Sequence, residues 1–182
     1  MKHALVIGGT GMLADVSLWL VEKGYHVSVI ARNSDRIQKL MKRAQAKECF
    51  TPLVLDYTNE NMLKEKLKDT IKQNGNIDLV VAWIHSYAKD TLSLITNVVS
   101  EGKNYWELFH VLGSSSNLEE IKKKDPIPSQ CVYYQVQLGF IIEGEHSRWL
   151  THQEISEGVI EAIKKKKKVH IVGQLEPWEK RP

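Results

Sequence analysis

Cysteine is scarce in this chain, and long apolar runs are missing altogether. The two cysteines, Cys49 and Cys131, lie far apart with no Cys-x-x-Cys spacing, which argues against a disulfide framework and favours a reducing compartment. No apolar run approaches the length that spans a bilayer, and the glycines at position 8 come too early for a signal peptide. We therefore expect a cytoplasmic protein that does not contact membranes.

An excess of charge of either sign is also missing. The net charge is +3, and the lysine run at 164–168 supplies five of the positive charges, so the remainder carries −2. This balance disfavours a nucleic-acid surface, and the lysine run is interpreted as a solvated helix end rather than a site for acidic partners. No His or Cys pair has metal-ligand spacing, so we predict no metal site. With 182 residues, 42% of them hydrophobic, the chain suits a single domain over 1–182.

Short apolar runs alternate with amphipathic stretches along most of the chain. This alternation predicts an α/β fold, a doubly wound parallel sheet of about seven strands with helices on both faces in three layers. The predicted strands are 3–8, 26–31, 50–55, 77–83, 106–112, 132–142 and 169–173, and the predicted helices are 12–23, 34–46, 60–73, 87–101 and 153–166. Residues 113–130 leave room for only a turn or two of helix before Pro126 and Pro128.

A glycine cluster follows the first predicted strand. Residues 8–14 (GGTGMLA) fit Gly-x-x-Gly-x-x-Ala between a strand and a helix, and a second strand follows within about 30 residues. Small residues here let the backbone approach a pyrophosphate, which the first amides of the helix can bind. We predict a dinucleotide cradle, with a merely structural glycine turn as the alternative; its candidate residues are Gly8, Thr10, Gly11, Met12 and Leu13.

The end of the second predicted strand bears on which dinucleotide would bind. An NAD-selective site usually has a carboxylate there, whereas this chain has Ala31-Arg32-Asn33, with Arg36 one helical turn further on. Arg32 can pair with a 2′-phosphate or stack on adenine. NADP(H) is therefore favoured over NAD(H); alternatively, Arg32 and Arg36 are solvated charges at a helix start.

With these motifs, the chain resembles the short-chain dehydrogenase/reductase family over nearly its whole length, in the atypical Gly-Gly-Thr-Gly branch of that family. The resemblance implies the Rossmann fold, with the strand order 3-2-1-4-5-6-7. The resemblance implies that Asp56, which Tyr57 follows in the cofactor-binding segment, contacts adenine. It also implies that Ala82 and Trp83 lie beneath the nicotinamide ribose, and that Ser114 or Ser115 polarises a substrate carbonyl. It also implies that the segment around Gly139, Phe140 and Ile141 contacts the carboxamide, and that the "RWLTHQEISEGVIEAI" stretch is the last helix of the family.

The chain departs from the family in its proton donor. The family uses a tyrosine with a lysine four residues later, on a long helix between strands five and six, and none of the six tyrosines here has that lysine. His85 is the best replacement acid by chemistry, although a histidine at a strand end is more often structural. His110 is expected to be a satisfied core residue, and the serines of 114–116 could simply form a polar turn and a helix cap.

Three functions remain open on the sequence. The first is an NADPH-dependent reductase of a small carbonyl or imine compound, with the proton supplied by His85, a serine or solvent. The second is a non-catalytic NADP(H)-binding sensor or interaction module. The third is a structural relative that binds no nucleotide. Because the family's long helix is missing, the sheet face it would cover must be shielded otherwise, which favours a homo-oligomer.

Overall fold

Seven parallel strands form the central sheet of the computed structural model, which describes residues 1–102 and 104–182. The order is β3-β2-β1-β4-β5-β6-β9, so the predicted doubly wound parallel sheet is confirmed. Its strands are β1 (Lys2–Ile7), β2 (Tyr25–Ala31), β3 (Phe50–Val54), β4 (Ile77–Trp83), β5 (Trp106–Leu112), β6 (Cys131–Leu138) and β9 (Val169–Val172). Between β6 and β9 the chain forms an antiparallel hairpin of two strands, β7 (Phe140–Glu143) and β8 (His146–Trp149), which is separate from the central sheet.

Six α-helices cover the two faces of the sheet. They are α1 (Ala14–Glu22), α2 (Ser34–Arg43), α3 (Glu60–Asn74), α4 (Thr91–Ser100), α5 (Leu118–Lys124) and α6 (His152–Lys165). Residues 4–7 of β1 are fully buried, and they alternate between two cores. Ala4 and Val6 pack in the core that includes residues of α1 and α6, whereas Leu5 and Ile7 pack in the core that includes residues of α3 and α4. The molecule therefore has three layers.

Local signals determine where several helices begin and end. A capping box begins α6, because the Thr151 hydroxyl accepts from the Glu154 amide and the Glu154 carboxylate accepts from the Thr151 amide. Arg148 donates two further hydrogen bonds to Glu154, at 2.9 and 3.0 Å. These contacts lower the pKa of Glu154 to about 2. The first turn of α6 is thus held from two sides.

The strand predicted over 132–142 is wrong in its second half. β6 ends at Leu138, and Phe140 starts the separate β7–β8 hairpin. A Cβ at Gly139 would lie 2.1 Å from the Gln174 carbonyl oxygen, because the chain beyond β9 crosses here and pairs Gln174 with Phe140. The predicted helix over 87–101 also starts later, at Thr91, which leaves residues 84–90 as a loop. Within the described residues, no helix is long and apolar enough to cross a bilayer.

Candidate functional site

The glycine cluster forms a tight turn between β1 and α1 in which each glycine has a different neighbourhood. Gly8 has φ +86°, a conformation that side chains rarely adopt. A Cβ at Gly9 would lie 2.9 Å from both Ser17 Oγ and Val6 Cγ1, so only glycine lets α1 pack this close to β1. A Cβ at Gly11 would meet nothing nearer than the Cε1 atom of His152, at 3.9 Å. The last glycine therefore faces open space.

The turn presents unpaired amides. Within the described residues, the backbone N–H groups of 11–13 donate to no protein acceptor, and Leu13 gives α1 no side-chain cap. The Ser156 hydroxyl donates to the Met12 carbonyl oxygen at 2.7 Å and so ties α6 to the turn. A rigid turn with free amides at a helix start fits the pyrophosphate of a dinucleotide.

The turn opens into a cleft of about 920 Å³ at the carboxyl ends of β1, β2 and β4. This is the position at which open α/β sheets bind ligands, because the strand order reverses there. Ten of the sequence-predicted site residues line the cleft: Gly8, Thr10, Gly11, Met12, Arg32, Asn33, Arg36, Tyr57, Trp83 and His85.

The other predicted cofactor residues lie outside the cleft lining, and their binding roles stay predictions. Three of them, Leu13, Ala82 and Phe140, have fully buried side chains. Asp56 is exposed and accepts from the amide and hydroxyl of Thr58, which hold the pKa of that carboxyl below its usual value. Gly139 borders a smaller cavity beside Trp149, and Ile141 lies in the β7–β8 hairpin.

Positive charge collects where β2 ends. Neither Arg32 nor Arg36 has a carboxylate within 4 Å in the described part of the chain. The Asn33 side chain caps α2 by accepting from the Arg36 amide at 3.1 Å. Asp35 also lines the cleft, from the first turn of α2. The rim of the cleft thus has two unpaired guanidinium groups next to a helix N-terminus, where an anion is stabilised.

The loop after β4 is held by Tyr57, whose hydroxyl accepts from the His85 amide at 3.1 Å. Burial raises the pKa of Tyr57, so this hydroxyl stays protonated. The exposed His85 ring stacks on Tyr87 with centroids 5.2 Å apart and meets Trp83 edge-on at 6.4 Å. An aromatic row therefore closes one end of the cleft.

Beyond this aromatic row lies a second cavity, of about 360 Å³, bounded by the loop after β4, the end of β5 and α5. Trp83 and His85 line both spaces, so the two adjoin each other. Ser115 lines the second cavity together with His110. We call this space the side cavity.

The predicted Ser114 is engaged elsewhere. Its hydroxyl accepts from Arg181 Nε at 3.0 Å. The Arg181 guanidinium in turn lies over the rings of Trp149 and Trp178, at 5.1 and 4.9 Å from their centroids. The C-terminal segment thus covers the edge of the site, and Ser115 is the serine of the pair that reaches the side cavity.

Comparison with known proteins finds a family resemblance in the first part of the chain. Residues 2–83, which comprise the cradle and the strands on either side of it, match the model of the short chain dehydrogenase family. The match covers less than half of the chain, and it supports a Rossmann-fold protein similar to the short-chain dehydrogenases/reductases. This family binds nicotinamide dinucleotides. No curated protein sequence matches the chain.

Solved short-chain dehydrogenases/reductases share the fold over nearly the whole chain. A short-chain type dehydrogenase/reductase from Mycobacterium marinum has a TM-score of 0.72 at 18% identity, covering 94% of this chain and 93% of its own. An actinorhodin polyketide ketoreductase variant with NADPH gives 0.69 at 12% identity, with 94% and 95% covered. An alcohol dehydrogenase from the archaeon Thermococcus sibiricus, complexed with 5-hydroxy-NADP, gives 0.67 at 16% identity, with 96% of each chain covered.

The short-chain dehydrogenase/reductase fold is shortened here where the family has its tyrosine and lysine. The helix between β5 and β6, α5, has seven residues, contains no tyrosine and buries no side chain. The side cavity lies beside it. The sequence-predicted loss of the family's proton donor therefore coincides with an open space next to the cleft.

Sequence reasoning missed His152. This residue begins α6 and lines the dinucleotide cleft opposite Gly11. In the sequence, His152 has the pattern of an ordinary helix position after the Thr151 cap. Only the packing of α6 against the cradle brings it to the cleft. Within the described residues, no group of three or more His, Cys, Asp or Glu side chains could hold a metal ion.

Proposed function

We propose that this chain is an NADP(H)-dependent oxidoreductase that reduces a small carbonyl or imine compound. The observation that carries the choice of cofactor is the rim at the end of β2, where Arg32 and Arg36 face the cleft without a carboxylate partner in the described residues. A 2′-phosphate would gain charge-assisted hydrogen bonds there. The NADPH- and NADP-bound solved structures of the same fold are consistent with this choice.

The residues present fit a bound dinucleotide. Gly8 and Gly11 and the free amides of 11–13 would hold the pyrophosphate, and Trp83 would lie beneath the nicotinamide end. When bound, the reduced nicotinamide supplies a hydride to the electrophilic carbon of the substrate. The chain's part is to orient the substrate and to supply a proton to its oxygen or nitrogen, for which His85, Ser115 and water are candidates.

Titration calorimetry with NADPH and NADH tests the cofactor preference. We expect NADPH to bind more tightly, and Arg32→Ala to weaken NADPH about tenfold to hundredfold with little change for NADH, since hydrogen bonds to charged groups contribute about 1.5–3 kcal/mol. Lys42→Ala is the matched control, because Lys42 is an exposed cation of α2 outside the cleft. Equal weakening by both substitutions, or no binding of either nucleotide, would contradict the proposal.

A non-catalytic NADP(H)-binding module is the second candidate, favoured by the seven-residue α5 without a tyrosine and by the engaged Ser114 hydroxyl. NADPH oxidation with a panel of small aldehydes, ketones and imines separates the two functions. Turnover supports the reductase, and its loss in His85→Ala would assign His85 to the reaction. Tight NADPH binding without turnover on any acceptor would favour the module.

A further inference from the structure

His110 is a buried side chain whose second ring nitrogen has no protein partner. The residue lies on β5 with 6% of its surface exposed, and its ring lines the side cavity. Its Nδ1 atom is 2.8 Å from the Tyr133 hydroxyl on β6. Asn104 Oδ1 is the one fully enclosed side-chain N or O atom without a partner in the described residues, so His110 Nε2 is not fully enclosed, and the side cavity is the space that His110 lines.

The neighbours of Tyr133 favour one of the two positions for the hydrogen of the His110 ring. Gln135 Nε2 donates to the Leu118 carbonyl at 3.0 Å, and since a carbonyl only accepts, this bond fixes the orientation of the amide. The same Nε2 donates to the Tyr133 oxygen at 3.3 Å. Within the described residues, His110 Nδ1 is the one acceptor within reach of the Tyr133 hydrogen. A hydrogen bond donated by Tyr133 to Nδ1 leaves the hydrogen of the neutral imidazole on Nε2, and this is the tautomer that satisfies both groups.

We propose that the side cavity binds the carbonyl substrate of the proposed reductase, with His110 Nε2–H donating to the carbonyl oxygen and Tyr133 as the source of the proton. This inference rests on the proposed function and assigns its substrate site and acid. The volume of about 360 Å³ suits a small aldehyde or ketone. Leu92, Val111 and Ile121 contribute apolar residues to the lining of this cavity. The charged residues of the lining are Lys89, Lys124 and Asp125.

The proton transfer balances within this pair. As the carbon accepts the hydride, the carbonyl π electrons move to the oxygen, which takes the Nε2 hydrogen while Nδ1 takes the Tyr133 hydrogen. His110 stays neutral throughout. The negative charge ends on Tyr133 as a tyrosinate, which is a weaker base than the alkoxide that would otherwise form on the substrate. Water then returns a proton to Tyr133, which is part-exposed beside Lys122 and Lys168.

The electrostatic surroundings agree with a neutral donor. Burial lowers the pKa of His110 to about 4 and raises the pKa of Tyr133 to about 12, so both are uncharged at neutral pH. His85 is less well held, because its ring is exposed and its ring nitrogens have no hydrogen-bond partner in the described residues. A donor held by a hydrogen bond is preorganised for a developing negative charge, whereas an exposed ring without one must first be oriented.

Two measurements on the full chain test the assignment. Nitrogen NMR of labelled protein, with the His110 signals identified by their loss in His110→Gln, should show the Nε2–H tautomer in the wild type; the Nδ1–H tautomer would overturn the proposal. NADPH oxidation with butanal and cyclohexanone should have a kcat about 10²-fold lower in Tyr133→Phe, with KM and NADPH affinity unchanged. Tyr105→Phe is the control, since Tyr105 is 80% exposed and outside both spaces.

The outcomes separate this inference from the function on which it rests. Turnover by the wild type with an unchanged kcat in Tyr133→Phe would refute the acid role and leave the reductase intact. Tight NADPH binding without turnover in the wild type would refute the reductase, and the acid role with it. A thermal melt of each variant shows whether a lost kcat reflects unfolding, and His110→Gln, which loses the donor geometry by a different substitution, should then lower kcat similarly.

Discussion

Replacing Gly9 and Gly11 separately by alanine should divide the cradle's structural role from its binding role. At Gly9 the new Cβ would meet Val6 and Ser17 at 2.9 Å and Val29 at 3.2 Å, and all three side chains are fully buried. None can move without displacing others, so we expect an overpacking cost of about 1–3 kcal/mol. For a protein of this length that is a fall in melting temperature of about 2–4 °C per kcal/mol.

At Gly11 an alanine should affect binding rather than stability. The nearest atom to the new Cβ is His152 Cε1 at 3.9 Å, an ordinary contact distance, and the residue does not have a positive φ. Alanine should therefore leave stability unchanged, or raise it by about 0.4–1 kcal/mol through the unfolded chain. The methyl group would, however, occupy space that a pyrophosphate needs, so NADPH affinity should fall on the order of tenfold.

Urea unfolding and titration calorimetry on both variants give the two readouts. Gly9→Ala should lose stability, and Gly11→Ala should keep stability but lose affinity. The reasoning fails if Gly11→Ala is destabilised as much as Gly9→Ala, because the space at Gly11 would then not be open. It fails equally if Gly11→Ala binds NADPH as well as the wild type, because the last glycine would then not face the ligand.

Two further predictions concern acid stability and assembly. Because the folded-state pKa of His110 is lowered to about 4 from 6.5, the unfolded chain binds the extra proton first, and stability should fall as pH drops from about 6.5 towards 4. By pH 5 this histidine alone lowers the free energy of unfolding by about 2 kcal/mol. Urea unfolding of His110→Gln should therefore show a smaller loss of stability between about pH 7.5 and 5 than the wild type shows. An equal loss in both proteins would contradict this prediction. We also expect a homo-oligomer, because α5 buries no side chain and Trp149 and Trp178 are each 47% exposed. Light scattering should therefore give a mass above the 20.8 kDa of one chain, and a uniform monomer would exclude this assembly.

The sequence by itself determined the sheet and the cradle end of the cleft. Apolar runs such as 77–83 are buried on both faces, so the strands could be inferred from their alternation with helices, and the strand order from the resemblance to the Rossmann fold. The cradle could also be predicted from the sequence, because its glycines, the adjacent strand and the start of the helix are contiguous in the chain. The close packing of these three segments is a local interaction. Arg32 was found in the same way, at a fixed distance along the chain from the cradle.

Only the tertiary structure decided what surrounds that end. The break at Gly139 depends on Gln174, which lies far along the chain, and the engagement of Ser114 depends on Arg181. His110 reads as a core residue in sequence, and its free Nε2 follows from a gap beside α5 and from a Tyr133 contact across two strands. Local patterns record how a segment folds, whereas a cavity is defined by segments that do not pack against each other, and that absence leaves no local pattern.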